Sequence, residues 1–286
     1  MDEKYQAVLD VVKADIERVN KNLEIETELN PALAKEIEEF LQAPSKRIRS
    51  LFSILYMRAS KMYLLPVHYE LFAAVELIHN ASLIHDDVID ESKLRRNKKT
   101  LNDTFDNRLA VISGDYLLGA ALKKLVKIAS LKVIDIFADA LKTMCKGEVC
   151  QYFNRFKKTD IETYIEKSTQ KTASLFVSTL HAAIVLADGG FDEKSREFAE
   201  TFGLAFQIRD DLLNVIDKDK SKSASDVDEG IYTAPLILSD NLPDGIEKTR
   251  DLLNNYVNCA KHCISDLEDS VYKTALYELL ELLNDV

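Results

Sequence analysis

The stretch ELIHNASLIHDDVIDESKLRR, residues 76–96, decides how the chain is read. Leu77, Ile78, Leu83 and Ile84 belong to an apolar segment that runs from about residue 69 to 90. A helix that is apolar nearly all round belongs in an interior, so this one is expected inside a helical protein. It ends in Asp86, Asp87 and Asp90, and spacings of three and four put Asp90 on the same face as both other carboxylates. Three acids there repel one another unless cations compensate them. Hard oxygen donors at one helix end suit magnesium, which binds through a few carboxylates and substrate phosphates. A solvated acidic helix end is the other reading of such a cluster taken alone.

The cluster is not alone. Asp210, Asp211 and Asn214 repeat the pattern on a second apolar helix, with Phe202, Leu204, Phe206 and Ile208. Buried, unpaired acids are costly. The cost is removed if the two helices face each other across a cavity and hold magnesium between them, as helix bundles do. A diphosphate would complete the cation shells, and basic residues must then neutralise it. Lys46, Arg47 and Arg49 follow Pro44-Ser45 at an expected helix start, whose free amides favour an anion. Arg95 and Arg96 follow the first acidic cluster, and Lys171 and Thr172 lie in a further helix.

Composition supports the helical reading. The 286 residues include only 8 Gly and 5 Pro, with 47% hydrophobic and 30% charged. That scarcity excludes folds that spend Gly and Pro on tight loops, and no Gly-rich phosphate loop is present. Mean hydropathy is -0.14, and no unbroken apolar run approaches the roughly 18 residues of a membrane span. The opening MDEKYQAVLD has no signal-like apolar region, so a cytoplasmic location is expected. A formal charge of -11 excludes nonspecific nucleic-acid binding. Four cysteines in so long a chain make no disulfide framework, and Cys259-Ala-Lys-His262-Cys263 lacks the second pair a zinc site needs.

Helical periodicity runs throughout. Tyr5, Val8, Leu9, Val12, Ile16 and Val19 form one buried face. Further helices are expected at about 48–64, 69–90, 105–129, 133–154, 161–187, 194–216, 232–240, 246–265 and 267–284. Pro31, Pro44, Pro66 and Pro243 fall between blocks, and no sheet is expected. Neither polar connection, 92–103 or 217–230, is flanked by a composition shift, so residues 1–286 read as a single all-α domain.

The chain resembles the trans-polyprenyl diphosphate synthases, the chain-elongating isoprenoid synthases. The matching pieces, in order, are SKRIR (45–49), ELIHNASLIHDDVIDESKLRR (76–96), GDYLL (114–118), GEVCQ (147–151), KTASL (171–175) and FGLAFQIRDDLLN (202–214). The resemblance implies a bundle of ten or more helices around a deep central cavity, generally a homodimer. It implies head-to-tail condensation of isopentenyl diphosphate with an allylic diphosphate. Asp86, Asp87, Asp90 and Asp210 would ligate Mg2+, with Asp211 and Asn214 supporting the second side. Arg95, Lys171 and Lys222 would hold the allylic diphosphate, and Lys46, Arg49, His79 and Arg96 the isopentenyl diphosphate. Thr172 and Gln207 would line the site, and His85 is read as structural. No protein nucleophile is required.

The chain also departs from the pattern. Pro44-Ser45 replaces two glycines, Asn97 replaces a glycine, Asn214 replaces an aspartate, Ser221 precedes Lys222, and Ile231 replaces a lysine. These departures motivate a non-catalytic partner subunit of a heteromeric synthase as an alternative. A class I terpene cyclase is another, opposed by the second diphosphate site. The growing chain is expected to run back along the first acidic helix, meeting Ala81 and Ser82 about 6–8 Å below the metals at 1.5 Å per residue. Both are small, and Ala74 and Ile78 continue the line. The expected product is therefore longer than about C20, in the range of about C30–C45 given that tunnel, with Leu118 or Leu122 at its floor.

Overall fold

Proline and short polar side chains set the helix starts. Asn30, Asp106, Ser130, Asp160, Asn241 and Ser270 each accept a backbone N–H from the first turn of the helix they precede. The computed structural model describes residues 3–25, 28–95, 98–216 and 230–286. Among them lie fourteen α-helical segments. These are α1 Glu3–Val11, α2 Lys13–Leu23, α3 Pro31–Gln42, α4 Ile48–Ala59, α5 Pro66–Ile89, α6 Leu101–Thr104 and α7 Asn107–Lys127. There follow α8 Leu131–Phe153, α9 Ile161–Ser168, α10 Ser174–Leu186, α11 Glu193–Ile216, α12 Ala234–Leu238, α13 Leu242–Cys263 and α14 Val271–Asn284. The fold is all-α, as the composition requires.

Helix α5 is the interior element that its sequence implies. Leu71, Phe72, Ala73, Ala74, Val75 and Leu77 have no exposed surface. Its 24 residues extend about 36 Å at 1.5 Å per residue. It packs most extensively against α7 and also against α2, α4 and α10. A second core region is aromatic. Phe52 of α4 has its ring centroid 4.7 Å from Phe202 and 5.1 Å from Phe198, both on α11, and 5.7 Å from Phe176 on α10. Contacts of this kind fasten three helices to one another.

The structure differs from the sequence expectation at four places. The buried face over residues 5–19 is shared by two helices, because the chain breaks at Val12. Helix α3 was not expected, since Pro31 reads as a break. Proline is in fact accommodated in a first turn, where its missing N–H is no loss, and Pro66, Pro235 and Pro243 are placed the same way. The expected helix 161–187 is interrupted by a π-helical turn, Thr169–Ala173. A two-stranded antiparallel ribbon, β1 Leu94–Arg95 with β2 Lys98–Lys99, forms where no sheet was expected. The segment folds back because Thr100 Oγ1 and Asn102 Nδ2 both donate to the Ser92 carbonyl, at 2.7 and 2.9 Å.

Candidate active site

The two acidic motifs reach a common cavity from opposite walls. Asp86 stands in the last turn of α5 and Asp210 in the last turns of α11. Both line a partly open cavity of about 360 Å³, with Arg49, His79, Glu148, Lys171, Thr172 and Gln207 among the polar residues around it. Ile78, Ala81, Ser82, Leu118, Leu141 and Met144 supply an apolar portion. The cavity therefore has a charged end and a greasy end, which is the layout needed by an amphiphile with an anionic head.

Adjacent residues on a helix point about 100° apart, and both Asp-Asp pairs divide accordingly. Asp86 and Asp210 face the cavity, whereas Asp87 and Asp211 are buried behind it. Asp87 accepts from Arg95 Nε at 2.8 and 2.9 Å. Asp211 accepts from the buried Tyr164 hydroxyl at 2.7 Å and from Gln207 Nε2 at 2.8 Å. Thr172 Oγ1 in turn donates to Gln207 Oε1 at 2.6 Å. Asp90, the C-cap of α5, pairs with Arg155 Nη2 at 2.9 Å.

The electrostatics of the cavity are those of acids short of positive charge. Burial pushes the Asp86 carboxyl up to about 6, with Glu148 and Asp90 adding to it against the pull of Lys171 and Arg95. Burial likewise raises Asp210 to about 6, opposed by Arg209, Lys46 and Arg49 and aided by Asp211. Burial pushes Arg49 down to about 10 despite Glu76 and Asp210. The Arg49 Nε has no hydrogen-bond partner, and its guanidinium lies 4.8 Å over the Phe176 ring. Lys171 Nζ forms an ion pair with Glu148 and lies 3.9 Å from Asp86. Burial works against its charge, but Asp86 and Glu148 outweigh it and hold its pKa above the ordinary value.

Lys171 and Thr172 owe their placement to the π turn, which widens the helix just where both side chains enter the cavity. Two glycines press upon that turn. A β-carbon on Gly147 of α8 would lie 2.6 Å from the Lys171 nitrogen, and one on Gly203 of α11 would lie 2.7 Å from the Ala173 α-carbon. Only hydrogen fits at either place.

Among the described residues no three His, Cys, Asp or Glu side chains make a ready metal cage. Magnesium does not need one, because it takes one or two carboxylates and fills its octahedron with water and phosphate oxygens. Cavity-facing carboxylates raised by burial and a buried Arg49 Nε lacking an acceptor fit such a cation–diphosphate assembly.

The remaining expected residues are placed as follows. Lys46 is exposed, immediately before α4, and Asn214 is exposed in the last turn of α11. Leu118 reaches the cavity, while Leu122 lies on the outer face of α7 with 42% exposure and is not part of the lining. His85 does line the cavity. Arg96 and Lys222 lie outside the described residues. Sequence reasoning missed Glu148, Arg155, Tyr164 and the lining residues Leu141, Met144 and Cys145. Glu148 could have been suspected, since it sits inside the matching piece GEVCQ.

Comparison with known proteins agrees with this geometry. Residues 30–274 match the polyprenyl synthetase family. A prenyl transferase of Synechocystis is 34% identical over 287 residues, covering 88% of this chain and 89% of that protein. The chloroplastic solanesyl diphosphate synthase 2 of Arabidopsis thaliana is 32% identical over 82% of this chain, a match that spans 59% of the plant protein. A crystal structure of a polyprenyl synthase from Caulobacter crescentus, complexed with calcium and isoprenyl diphosphate, superimposes with a TM-score of 0.86. It is 25% identical and the match covers 99% of this chain and 98% of that one. The acidic walls, the basic counterparts and the apolar recess are thus those of a prenyltransferase, and the chain belongs to the polyprenyl synthetase family.

Proposed function

We propose that the protein condenses isopentenyl diphosphate head-to-tail with an allylic diphosphate, such as farnesyl or geranylgeranyl diphosphate, to make a long-chain all-trans polyprenyl diphosphate. The single observation that carries this reading is the cavity itself, with Asp86 and Asp210 on facing walls of its charged end and Ala81 and Ser82 opening its apolar end. Magnesium, bound by Asp86 and Asp210 with Asp90 in support, would supply the charge that draws off the allylic diphosphate. Lys171 would bind the same leaving group, and Arg95 would serve from its place beside Asp87. Arg49, with Lys46 and His79, would receive isopentenyl diphosphate on the other side. Thr172 and Gln207 would line the space for the reacting carbons, held in register by their mutual hydrogen bond. The departing diphosphate would serve as the base for the final proton, so no side chain need act as one.

Product length follows from the apolar end. Ala81 and Ile78 both line the recess, and neither carries an aromatic ring that would fill it. The similarity to a solanesyl diphosphate synthase supports a product longer than about C20, since small residues leave the path along α5 open. Ile112, Val126 and Val149 on the outer faces of α7 and α8 are more than half exposed, which supports a homodimer that would cover them. The four cysteines are all free thiols, which supports the cytoplasmic setting. No helix among the described residues is long and apolar enough to cross a membrane.

The test is incubation of the purified protein with farnesyl diphosphate, labelled isopentenyl diphosphate and magnesium, with products resolved by chromatography. Incorporation into prenyl diphosphates beyond C20 is expected. No incorporation by the protein alone, with activity restored by a partner chain, would assign it a supporting role instead. A cyclic hydrocarbon from the allylic substrate alone would make it a cyclase.

A further inference from the structure

Glu76 is a carboxylate in the interior of α5, 2% exposed, and no step of the proposed reaction uses it. Ser50 Oγ donates to its Oε1 at 2.8 Å, and Arg47 Nη1 lies 3.5 Å from its Oε2. Arg47 is buried as well. Its Nε donates to Asn20 Oδ1 at 3.2 Å and its Nη2 to the Leu41 carbonyl at 2.9 Å. The guanidinium therefore points toward α2, α3 and α5. Although it stands in the middle of the basic cluster, it is not offered to a substrate.

The backbone explains why it is held. Arg47 is the N-cap of α4 and has φ 47° and ψ 40°, the left-handed region. That conformation crowds the β-carbon of any L-residue other than glycine and must be held from outside. Pro44 and Ser45 precede the turn, so glycine does not relieve it there. On one side of Arg47, the Lys46 carbonyl accepts a hydrogen bond from the Tyr5 hydroxyl of α1, and the Lys46 ammonium lies 5.5 Å over the same ring. On the other side, Arg49 enters the cavity from the first turn of α4. Arg49 lines the charged end of the cavity, and Lys46, exposed three residues before it, lies at the approach to that end.

We propose that Glu76, acting through Arg47, and Tyr5, acting through the Lys46 carbonyl, are positioning residues that lock this turn so that Lys46 and Arg49 meet one diphosphate, that of isopentenyl diphosphate. The inference rests on the prenyl-condensing reading above. Neither residue touches the substrate. Each removes a freedom that the turn would otherwise have, and the benefit falls on one substrate only, because the allylic side is held by Lys171 and Arg95 from other elements.

Steady-state kinetics of wild type, Glu76→Gln and Tyr5→Phe, varying each substrate in turn, tests the proposal. The KM for isopentenyl diphosphate should rise about tenfold in Glu76→Gln and about threefold in Tyr5→Phe, as for loss of a charge-assisted and a neutral hydrogen bond respectively. The KM for farnesyl diphosphate and kcat at saturation should stay within about twofold, because the interactions lost bind one ground state. Tyr5→Phe loses one oxygen and keeps its ring, so it reports on the turn even if Glu76→Gln fails to fold. An unchanged KM for isopentenyl diphosphate in Tyr5→Phe, or a Glu76→Gln protein in which both KM values and kcat move together, overturns the positioning role and leaves the reaction assignment standing. A wild type that does not incorporate isopentenyl diphosphate overturns both.

Discussion

Replacing Gly147 by Ala isolates the π turn. An added β-carbon would lie 2.6 Å from the Lys171 nitrogen and 3.0 Å from the Lys171 α- and β-carbons, where ordinary contacts begin at 3.4 Å. The obstacle is backbone, so α8 and the turn must separate by about 0.8 Å, the difference between 3.4 and 2.6 Å. Overpacking of this kind costs about 1–3 kcal/mol. Alanine returns about 1 kcal/mol of helix propensity, so the net loss of stability is about 0–2 kcal/mol. Chemistry should suffer more than stability, since a displacement approaching 1 Å at a positioned group can cost about a hundredfold. We expect kcat/KM for farnesyl diphosphate to fall about 10–100-fold, with the melting temperature lowered by at most about 8 °C. The assay is initial-rate incorporation with farnesyl diphosphate varied, alongside thermal melting of the same preparations. A Gly147→Ala protein with kcat/KM within twofold of wild type would refute the claim that the close approach of α8 fixes Lys171.

Other predictions address the remaining parts of the site. Ala81→Tyr should shorten the product, and an unchanged distribution on chromatography would remove Ala81 from the path of the growing chain. Tyr164→Phe takes away the hydroxyl that donates to Asp211, and kcat should fall about tenfold, as for one hydrogen bond to a charged group; a rate equal to wild type would show that Asp211 needs no such anchor. The pH dependence of stability offers a third check. With Asp86 raised from 3.8 to about 6, the folded state binds the proton more tightly than the unfolded state. That contribution therefore destabilises the folded protein progressively as pH rises from about 4 to 6, and fully above it. In metal-free buffer Asp86→Asn should accordingly be more stable than wild type at pH 7, by about 2–3 kcal/mol, and equal to it near pH 4. Denaturation curves at the two values that show a constant difference would refute the assignment.

Much of this was legible in the chain because polarity patterns are local. A helix as apolar as α5 has no choice but the interior, and carboxylates at its end, repeated on α11, announce a cation. The division within each Asp-Asp pair was not read from the sequence, which assigned Asp86 and Asp87 alike to the metal although neighbours on a helix point about 100° apart. What stayed hidden depends on packing between distant segments. Nothing local says that Arg155, beyond the end of α8, will meet Asp90, or that Tyr164 of α9 will meet Asp211 of α11. The π turn has no signature of its own, because the register change is imposed by what α8 and α11 leave room for. Helix α3 was overlooked for a simpler reason, a proline read as punctuation when it was an opening residue. Leu122 stands one turn on from Leu118, but it is exposed and outside the cavity lining.

The aromatic cluster has a consequence for how such a molecule can change. Phe52, Phe176, Phe198 and Phe202 bind α4, α10 and α11 into one wall, and that wall carries Arg49 and Asp210 with the π turn beside it. The opposite wall, from α5, α7 and α8, meets the recess with Ala81, Ser82, Leu118, Leu141 and Met144, side chains that border open space. Part of the machinery, Arg49 and Asp210, thus stands on a footing apart from the gauge of the product, while Asp86 and His79 share α5 with Ala81 and Ser82. Substitutions at Leu118, Leu141 and Met144, on helices other than those of Asp86 and Asp210, can lengthen or shorten the product with the metal-facing carboxylates left in place.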